Sequence, residues 1–571
     1  MNSNASKYIY SPLPPAPART IRLIRVLPSS DPLASIAVEI ESHGLSSAPS
    51  YDAISYVWGD PSESLRPITC DGFTIQVTPN LHWALRRVRC LDGDPVIIWA
   101  DAICINQDDV DERSAQVAFM GEIYSNARRV LVCMGDAPTE GAEKQVARLI
   151  EVVALFRERR LGLDQVAGEC GGQLERLCSW LQNAQRPWKA LAEVMVRPWF
   201  SRVWVIQEVG LAKKPVVLYG AEEFGYRDLV VTAAWATSQT SLLQHSIRTW
   251  RIHTDWMDWS RPETAQGTFY DLLDHASLLA CRDPRDRIYA LLGHPLARTK
   301  HGGHPIITPD YTKDLNELYV QLTEALFQTV GLRALVSIEH TQESLADGSP
   351  SWAIRWHIQE KFNDISDPLV AVFGAGRLVD PDRPPQVNGP FLTVQGLTAD
   401  KIAHCFAFSF SAAAPGGLEF CDIQNPGQSF GVGQLLGFLI STSSKNRMDV
   451  QWAVIETLCA GRMEDRRQEN RDFFSLSALF DRIDFWHTLR LYASGRIFAV
   501  TEKGRFALIP RISRPGDEIC VIHGLDVPFV TRSGGHNGCR LLLGEGFVHG
   551  IMRGEALRVA NEEAEHELVF C

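Results

Sequence analysis

Three short stretches of this chain hold side chains whose type and spacing could do chemistry. They are Trp58-Gly59-Asp60, the run Asp101-Ala102-Ile103-Cys104-Ile105-Asn106-Gln107, and Glu208 with Trp204 four residues before it. Each acidic loop follows an apolar run that reads as a buried strand, residues 53–58 and 96–100. In an open α/β sheet, ligands sit beyond the carboxyl ends of parallel strands, where loops and helix N-termini present donors. Asp60 and Asp101 either line a ligand site at that edge or build the turns and caps that Asp commonly builds. Glu208 also has two readings. A carboxylate one helical turn from a large aromatic is partly desolvated and thereby tuned. On a helix surface the same residue pairs with a cation, and Arg202 or Lys213 could supply it.

Other constellations lack the context their chemistry needs. Gly427-Gln428-Ser429-Phe430-Gly431 fits the nucleophile-elbow pattern, but Asp422 to Pro426 precede it where a buried strand is required. His301-Gly302-Gly303-His304 has metal-compatible spacing without an adjacent third ligand, and His253, Asp255 and Asp258 among tryptophans are equally weak. No metal site is expected. The phosphate-binding GxxxxGK[ST] pattern is absent, and Gly544-Glu545-Gly546 to Gly550 misses the dinucleotide spacing by one residue. Cys281-Arg282-Asp283-Pro284-Arg285-Asp286-Arg287 is a dense charge cluster. It is expected to cap the helix 288–292 and tie domains through ion pairs, rather than to grip phosphate.

The elements that must hold these residues can be read from apolar periodicity. A first strand is expected over 21–27, paired with 37–40, and a half-exposed one over 73–77. Thr78-Pro79-Asn80 should cap a helix with Leu81, Ala84, Leu85 and Val88 on one face; Asp111 should cap another, followed by a buried strand over 129–134. Alternating apolar strands and amphipathic helices predict a parallel sheet covered by helices. Residues 137–196 read as a helical insertion in which Arg157, Arg159 and Arg160 form a solvated basic patch, and 201–212 as one helix before a strand at 216–219. A mainly helical region is expected over 225–365. A mixed, β-rich region over 366–571 follows, with a strand at 391–394 and a hairpin of 496–500 with 506–509, continued by strands at 520–522, 529–532 and 540–543 toward a small barrel or sheet. Residues 1–47 form an N-terminal strand segment, and 48–224 the domain that carries the acidic loops.

Composition bounds the function. The chain has 571 residues, 45% hydrophobic and 22% charged, with 68 acidic against 56 basic side chains and a net charge of −12. Such a length implies about three or four structural units. An acidic chain without a Lys/Arg stripe is not expected to bind nucleic acid. Its 13 cysteines are scattered without a CxxC pair, unlike a secreted disulfide framework. No signal-peptide core and no apolar run of spanning length is read, so a cytoplasmic protein without a membrane span is expected.

Taken together, YDAISYVWGDP (51–61), IWADAICINQDDVDERSAQVAFMGEIYSNARRVLVCMGD (98–136) and RPWFSRVWVIQEV (197–209) look like the fungal heterokaryon-incompatibility (HET) domain. CRDPRDRIYALLG and GEGFVHGIMRGEAL also resemble stretches that commonly follow it. This resemblance implies an effector of self/non-self recognition and programmed cell death, acting by self-association or with a protein partner. Ala53-Ile54-Ser55-Tyr56 and the block from Ser201 through Trp204 to Glu208 are more remotely similar to Toll/interleukin-receptor (TIR) domains. That likeness implies a TIR- or flavodoxin-like fold in which Glu208 is the catalytic carboxylate for cleaving NAD at the nicotinamide–ribose bond. Tyr56, Trp58, Asp60 and Asp101 would surround the nucleotide, NAD would be a substrate, and no cofactor would be required. The insertion before Arg197 would cover the crevice as a lid. Two other classes stand beside the enzyme: a non-enzymatic signalling module, and a nucleotide-binding receptor without turnover. The long C-terminal region is expected to hold or sense a partner and so control assembly.

Overall fold

The computed structural model describes residues 8–15, 18–60, 62–158, 185–239, 267–298, 303–358, 365, 373–376, 385–410, 418–424, 429–442, 447–462, 483–534, 538–559 and 566–571. Arg159, Arg160, His253, Asp255, Asp258, His301, Gly302, Gly427 and Gln428 lie outside the described residues. The chain divides into two compact units, Met1–Lys313 and Asp314–Cys571. The boundary drawn at 224 falls within the first and that at 365 within the second.

The first unit is built on nine strands: Thr20–Val26 (β1), Ala37–Gly44 (β2), Asp52–Tyr56 (β3), Arg66–Cys70 (β4), Phe73–Val77 (β5), Val96–Trp99 (β6), Arg129–Gly135 (β7), Pro215–Tyr219 (β8) and Glu222–Gly225 (β9). Their order is β5-β4-β2-β1-β6-β3-β7-β8-β9. The centre, β6-β3-β7-β8, is parallel as expected. β3 is buried at all five positions, as a strand covered on both faces must be. The flanks are mixed. β1 runs antiparallel to β2 and β6, and hairpins close both edges as β4–β5 and β8–β9.

The helices of this unit are Pro79–Val88 (α1), Asp101–Cys104 (α2), Val110–Asn126 (α3), Ala142–Glu158 (α4), Gln185–Met195 (α5), Val205–Gly210 (α6), Tyr226–Gln239 (α7), Phe269–Ala276 (α8) and Asp286–Tyr289 (α9). Thr78 caps α1 as expected. α3 starts earlier than expected: Asp109, not Asp111, is its cap, and its carboxylate accepts from the N–H groups of Asp111 (3.1 Å) and Glu112 (3.0 Å). The single helix expected over 201–212 is divided. A 3₁₀ turn, Pro198–Ser201, precedes α6, because Arg202 is drawn out of the helix into a bridge with Ala280. The Ala280 N–H donates to the Ser201 carbonyl and the Val203 N–H to the Ala280 carbonyl. Within the insertion, α4 packs on α5, α7 and β9.

A buried carboxylate anchors the start of β3. Asp52 is fully buried and accepts from Arg128 Nε (2.9 Å) and Nη2 (2.8 Å), and from Arg129 Nη2 (2.8 Å) and Nε (3.2 Å). Burial works against its charge, but the two guanidinium groups outweigh it and hold the carboxyl below its ordinary value. The stabilisation is therefore present above the ordinary carboxyl range and lost as pH falls through the depressed folded value. Asp52→Asn should lower the melting temperature at pH 7, with the gap to the native chain closing as pH drops below the ordinary carboxyl range. Melting curves across that range check this.

Among its described residues the second unit holds eleven strands: Gln386–Asn388 (β10), Phe391–Phe410 (β11), Leu418–Asp422 (β12), Ser429–Gly431 (β13), Arg496–Thr501 (β14), Phe506–Pro510 (β15), Glu518–Ile522 (β16), Phe529–Ser533 (β17), Arg540–Glu545 (β18), Phe547–Val548 (β19) and His566–Phe570 (β20). The expected hairpin is β14–β15, and β16, β17 and β18 continue as expected. β11 pairs with both β20 and β16, so β16-β17-β18-β20-β11 closes on itself as a small barrel. Leu397, Ile519, Val521, Val530 and Leu543 belong to the apolar cluster of this sheet. Leu315–Val330 (α10) is the expected amphipathic helix, with Leu318, Leu322 and Leu326 buried. Cys539 and Cys571, 32 residues apart, form a disulfide that their spacing did not announce. Among the described residues, no helix is long and apolar enough to cross a membrane.

Candidate ligand cleft

At the carboxyl ends of β3 and β6 lies a cleft of about 1020 Å³, formed within the first unit. β3 runs out into Val57, Trp58 and Gly59, and β6 into Asp101 at the start of α2. α3 contributes Arg113, Val117 and Met120; Arg202, Trp204 and Glu208 come from the stretch around α6, and residues 280–286 complete the wall with Tyr311.

Glu208 is only 2% exposed although it sits in a six-residue helix. Arg202 holds it bidentately, Nη2 to Oε1 at 2.9 Å and Nη1 to Oε2 at 3.2 Å. The Ser55 hydroxyl also donates to Oε2, and accepts in turn from Trp199 Nε1 at 2.7 Å. The partner named from the sequence is therefore right, but the pair is buried rather than on a helix surface. Burial works against the Arg202 charge; Glu208 and then Asp101 outweigh it and raise its pKa.

Asp101 carries the second carboxylate. Trp58 Nε1 donates to Oδ2 at 2.8 Å and the Ala102 N–H to Oδ1 at 2.8 Å. Gln107 Nε2 donates to the Asp101 carbonyl at 3.0 Å, fixing the loop. Burial, then the charge of Glu208, pushes the Asp101 carboxyl up to about 6. Tyr56 lies beneath them, 2% exposed, with a hydroxyl that has no hydrogen-bond partner of ordinary geometry. Burial and Asp101 keep this phenol protonated.

A third acid faces the same space. Asp286 accepts from the Tyr311 hydroxyl (2.6 Å) and from Trp204 Nε1 (3.2 Å), and burial pushes it up to about 6.

Of the residues singled out in the sequence, Trp58, Asp101 and Glu208 meet in the cleft and Tyr56 lies under it. Asp60 is exposed and is not among the lining residues. Its carboxylate accepts from the Ser62 N–H (2.8 Å), which makes it the turn-builder of the two readings. Ser55 and Trp199 were not expected in the site, nor were Arg113, Asp286 and Tyr311. Only the 281–287 charge cluster carried a signal, and it read as a helix cap. Among the described residues, none that lines the cleft belongs to 137–196, the segment expected as a lid.

Residues 51–208 match the family described as heterokaryon incompatibility protein (HET), and residues 444–569 match the Het-6 beta-barrel domain. The chain is also similar to heterokaryon incompatibility protein 6, OR allele, of Neurospora crassa, at 24% identity over 96% of each chain. No solved structure matches the chain.

Proposed function

We propose, from the premise that this chain is a HET-domain protein carrying a Het-6 barrel, that it is an incompatibility-type effector whose first unit cleaves the nicotinamide–ribose bond of NAD. In this proposal the cleavage triggers cell death when incompatible partners meet. The observation that carries this reading is the convergence of Trp58, Asp101 and Glu208 on one cleft at the carboxyl edge of a parallel sheet. Breaking an N-ribosyl bond passes through an oxocarbenium-like state, so an anion fixed beside the ribose stabilises developing positive charge. Glu208, held by Arg202 and Ser55, supplies a carboxylate that need not reorganise. Nicotinamide leaves as a neutral group from a cationic one, so no dedicated general acid is needed. Asp101 and Trp58 would orient the ribose hydroxyls and the ring.

The test follows nicotinamide release from NAD at high concentration by the purified full chain. Glu208→Gln should fold and lose about 10²–10³-fold in turnover. A folded Glu208→Gln protein that cleaves like the native chain, or a native chain that never releases nicotinamide, overturns the proposal.

One observation favours a second reading. Both Glu208 oxygens are already engaged within the protein. This suits a non-enzymatic module acting by self-association or through a protein partner, in which Glu208 is a structural ion pair. In that case a folded Glu208→Gln protein would retain its toxicity in cells.

A further inference from the structure

Arginines and acids are interspersed along the cleft, and two of the arginines have no task in the chemistry at Glu208. Four arginines line the cleft: Arg113, Arg202, Arg282 and Arg285. Two are neutralised inside the fold. Arg202 is held by Glu208 at 2.9 Å; Arg285 pairs with Asp283 at 2.9 Å and donates to the carbonyls of Tyr311 (2.5 Å) and Lys313 (3.2 Å). Arg113 and Arg282 make no hydrogen bond or ion pair among the described residues.

Arg113 is nevertheless held in place. Its guanidinium carbon lies 4.1 Å from the centre of the Tyr311 ring, and its Nε is buried without a hydrogen-bond partner. Tyr311 is itself fixed: its hydroxyl donates to Asp286, and its backbone N–H to Ser114 Oγ at 3.1 Å. A flat cation stacked on an anchored aromatic has lost most of its freedom. A buried charged donor left without an acceptor is costly unless something outside the fold supplies one. Arg282 is exposed on the 280–286 stretch of the lining. Its neighbours account for the rest of the cluster read from the sequence, since Asp283 takes Arg285 and Asp286 takes Tyr311 and Trp204. Those acids feel the Arg113 charge, but each has hydrogen-bond donors of its own and neither is a hydrogen-bond acceptor for Arg113 or Arg282. Stacking on tyrosine is common for arginine. Two cations from different elements, both without acceptors and both lining a cleft at the top of the pocket size range of about 300–1,000 Å³, need a further cause.

We propose that Arg113 and Arg282 form a pyrophosphate subsite, so that the cleft takes a ligand with a bridging diphosphate whose sugar end reaches toward Asp101 and Glu208. Guanidinium forks match phosphate oxygens geometrically, and Arg113 is already oriented by Tyr311. The identity of the sugar end rests on the reading of the cleft as an N-ribosyl site; the anion subsite does not.

Calorimetry on the purified full chain tests this with three probes: inorganic pyrophosphate, ADP-ribose and nicotinamide riboside. Arg113→Ala should weaken pyrophosphate and ADP-ribose at least about tenfold, and Arg113→Ala/Arg282→Ala about a hundredfold. Nicotinamide riboside, which has no diphosphate, should bind the variants and the native chain alike. Should Arg113→Ala fail to fold, Arg282→Ala changes an exposed side chain and carries the test alone. Binding of ADP-ribose but not pyrophosphate, still lost in the variants, supports the subsite and assigns it to nucleotides. Unchanged affinity in the folded variants overturns it, as does a native chain that binds neither anion. ADP-ribose lacks the nicotinamide–ribose bond, so its arginine-dependent binding without any nicotinamide release from NAD would remove the cleavage reaction and leave this subsite standing.

Discussion

Arg202→Ala is expected to destabilise the first unit by about 3–5 kcal/mol, more than the double replacement Arg202→Met/Glu208→Leu. The Glu208 side chain is 3% exposed and that of Arg202 17%. Removing the cation leaves a buried anion whose remaining donor is the Ser55 hydroxyl, itself tied to Trp199. Asp101 adds to the cost, because the Arg202 charge favours its ionised form and works against the rise that burial and Glu208 cause. The double replacement removes both ions together and should recover much of the loss. Denaturant unfolding followed by tryptophan fluorescence measures both variants, since Trp199 and Trp204 flank the pair. A surface pair would behave differently: exposed ion pairs are worth about 0.2–1 kcal/mol, and a loss that small would mean the network does not organise the cleft.

That pair also shows where sequence reading stops. Arg202 could be named as a partner because it lies six residues before Glu208, within reach by distance along the chain. Its burial could not be read, because it depends on a bridge to Ala280, which holds Arg202 outside the helix that periodicity extends through it. The parallel centre of the sheet was legible because β7 is a continuous apolar run from Val130 to Met134 and β3 a short, mainly apolar one, each followed by an amphipathic helix or an acidic loop. Asp101 and Trp58 were placed at its edge by the same logic. Asp60 was not separable from them in sequence, since an aspartate after a strand serves a turn as readily as a ligand. Arg113, Asp286 and Tyr311 had no local signature. They meet only through tertiary contacts, as in the ring contact between Arg113 and Tyr311. In the second unit the hairpins were legible from local alternation, and the strands after them were read as leading to a small barrel or sheet, but how the barrel closes was not legible. Its closing strand β11 runs Phe391–Phe410, and was read over only four residues because Asp400, Lys401 and His404 break the apolar pattern. Asp400 is buried all the same and accepts from Thr501 Oγ1 (2.8 Å) and Arg505 Nη1 (2.7 Å). Shifts in pairing register occur beside it.

Gly293→Val is the second large effect expected, and it concerns how the cleft acquires the wall that carries Arg282. The HET match ends at 208, yet residues 280–286 and Tyr311 complete the site. What docks this later stretch is a close approach of Gly293, Gly121 of α3 and Gln207 of α6. A Cβ on Gly293 would lie 2.4 Å from the Gln207 amide terminus and 2.8 Å from its Cδ; one on Gly121 would lie 3.0 Å from the Gly293 Cα. Gln207 cannot swing away cheaply, being 1% exposed, with its amide oriented to donate to the Ala290 carbonyl (3.1 Å) and accept from the Gly121 N–H (2.9 Å). Valine there combines overpacking, about 1–3 kcal/mol, with displacement of a buried amide from its partners, about another 1–3 kcal/mol. Gly437→Ala is the control, since a Cβ there meets open space on an exposed helix face and should not destabilise. The valine variant should also lose pyrophosphate affinity under conditions where it remains folded, because Arg282 is carried on the segment that Gly293 anchors. Native stability and native pyrophosphate binding in Gly293→Val would mean that the wall is held by something other than this contact.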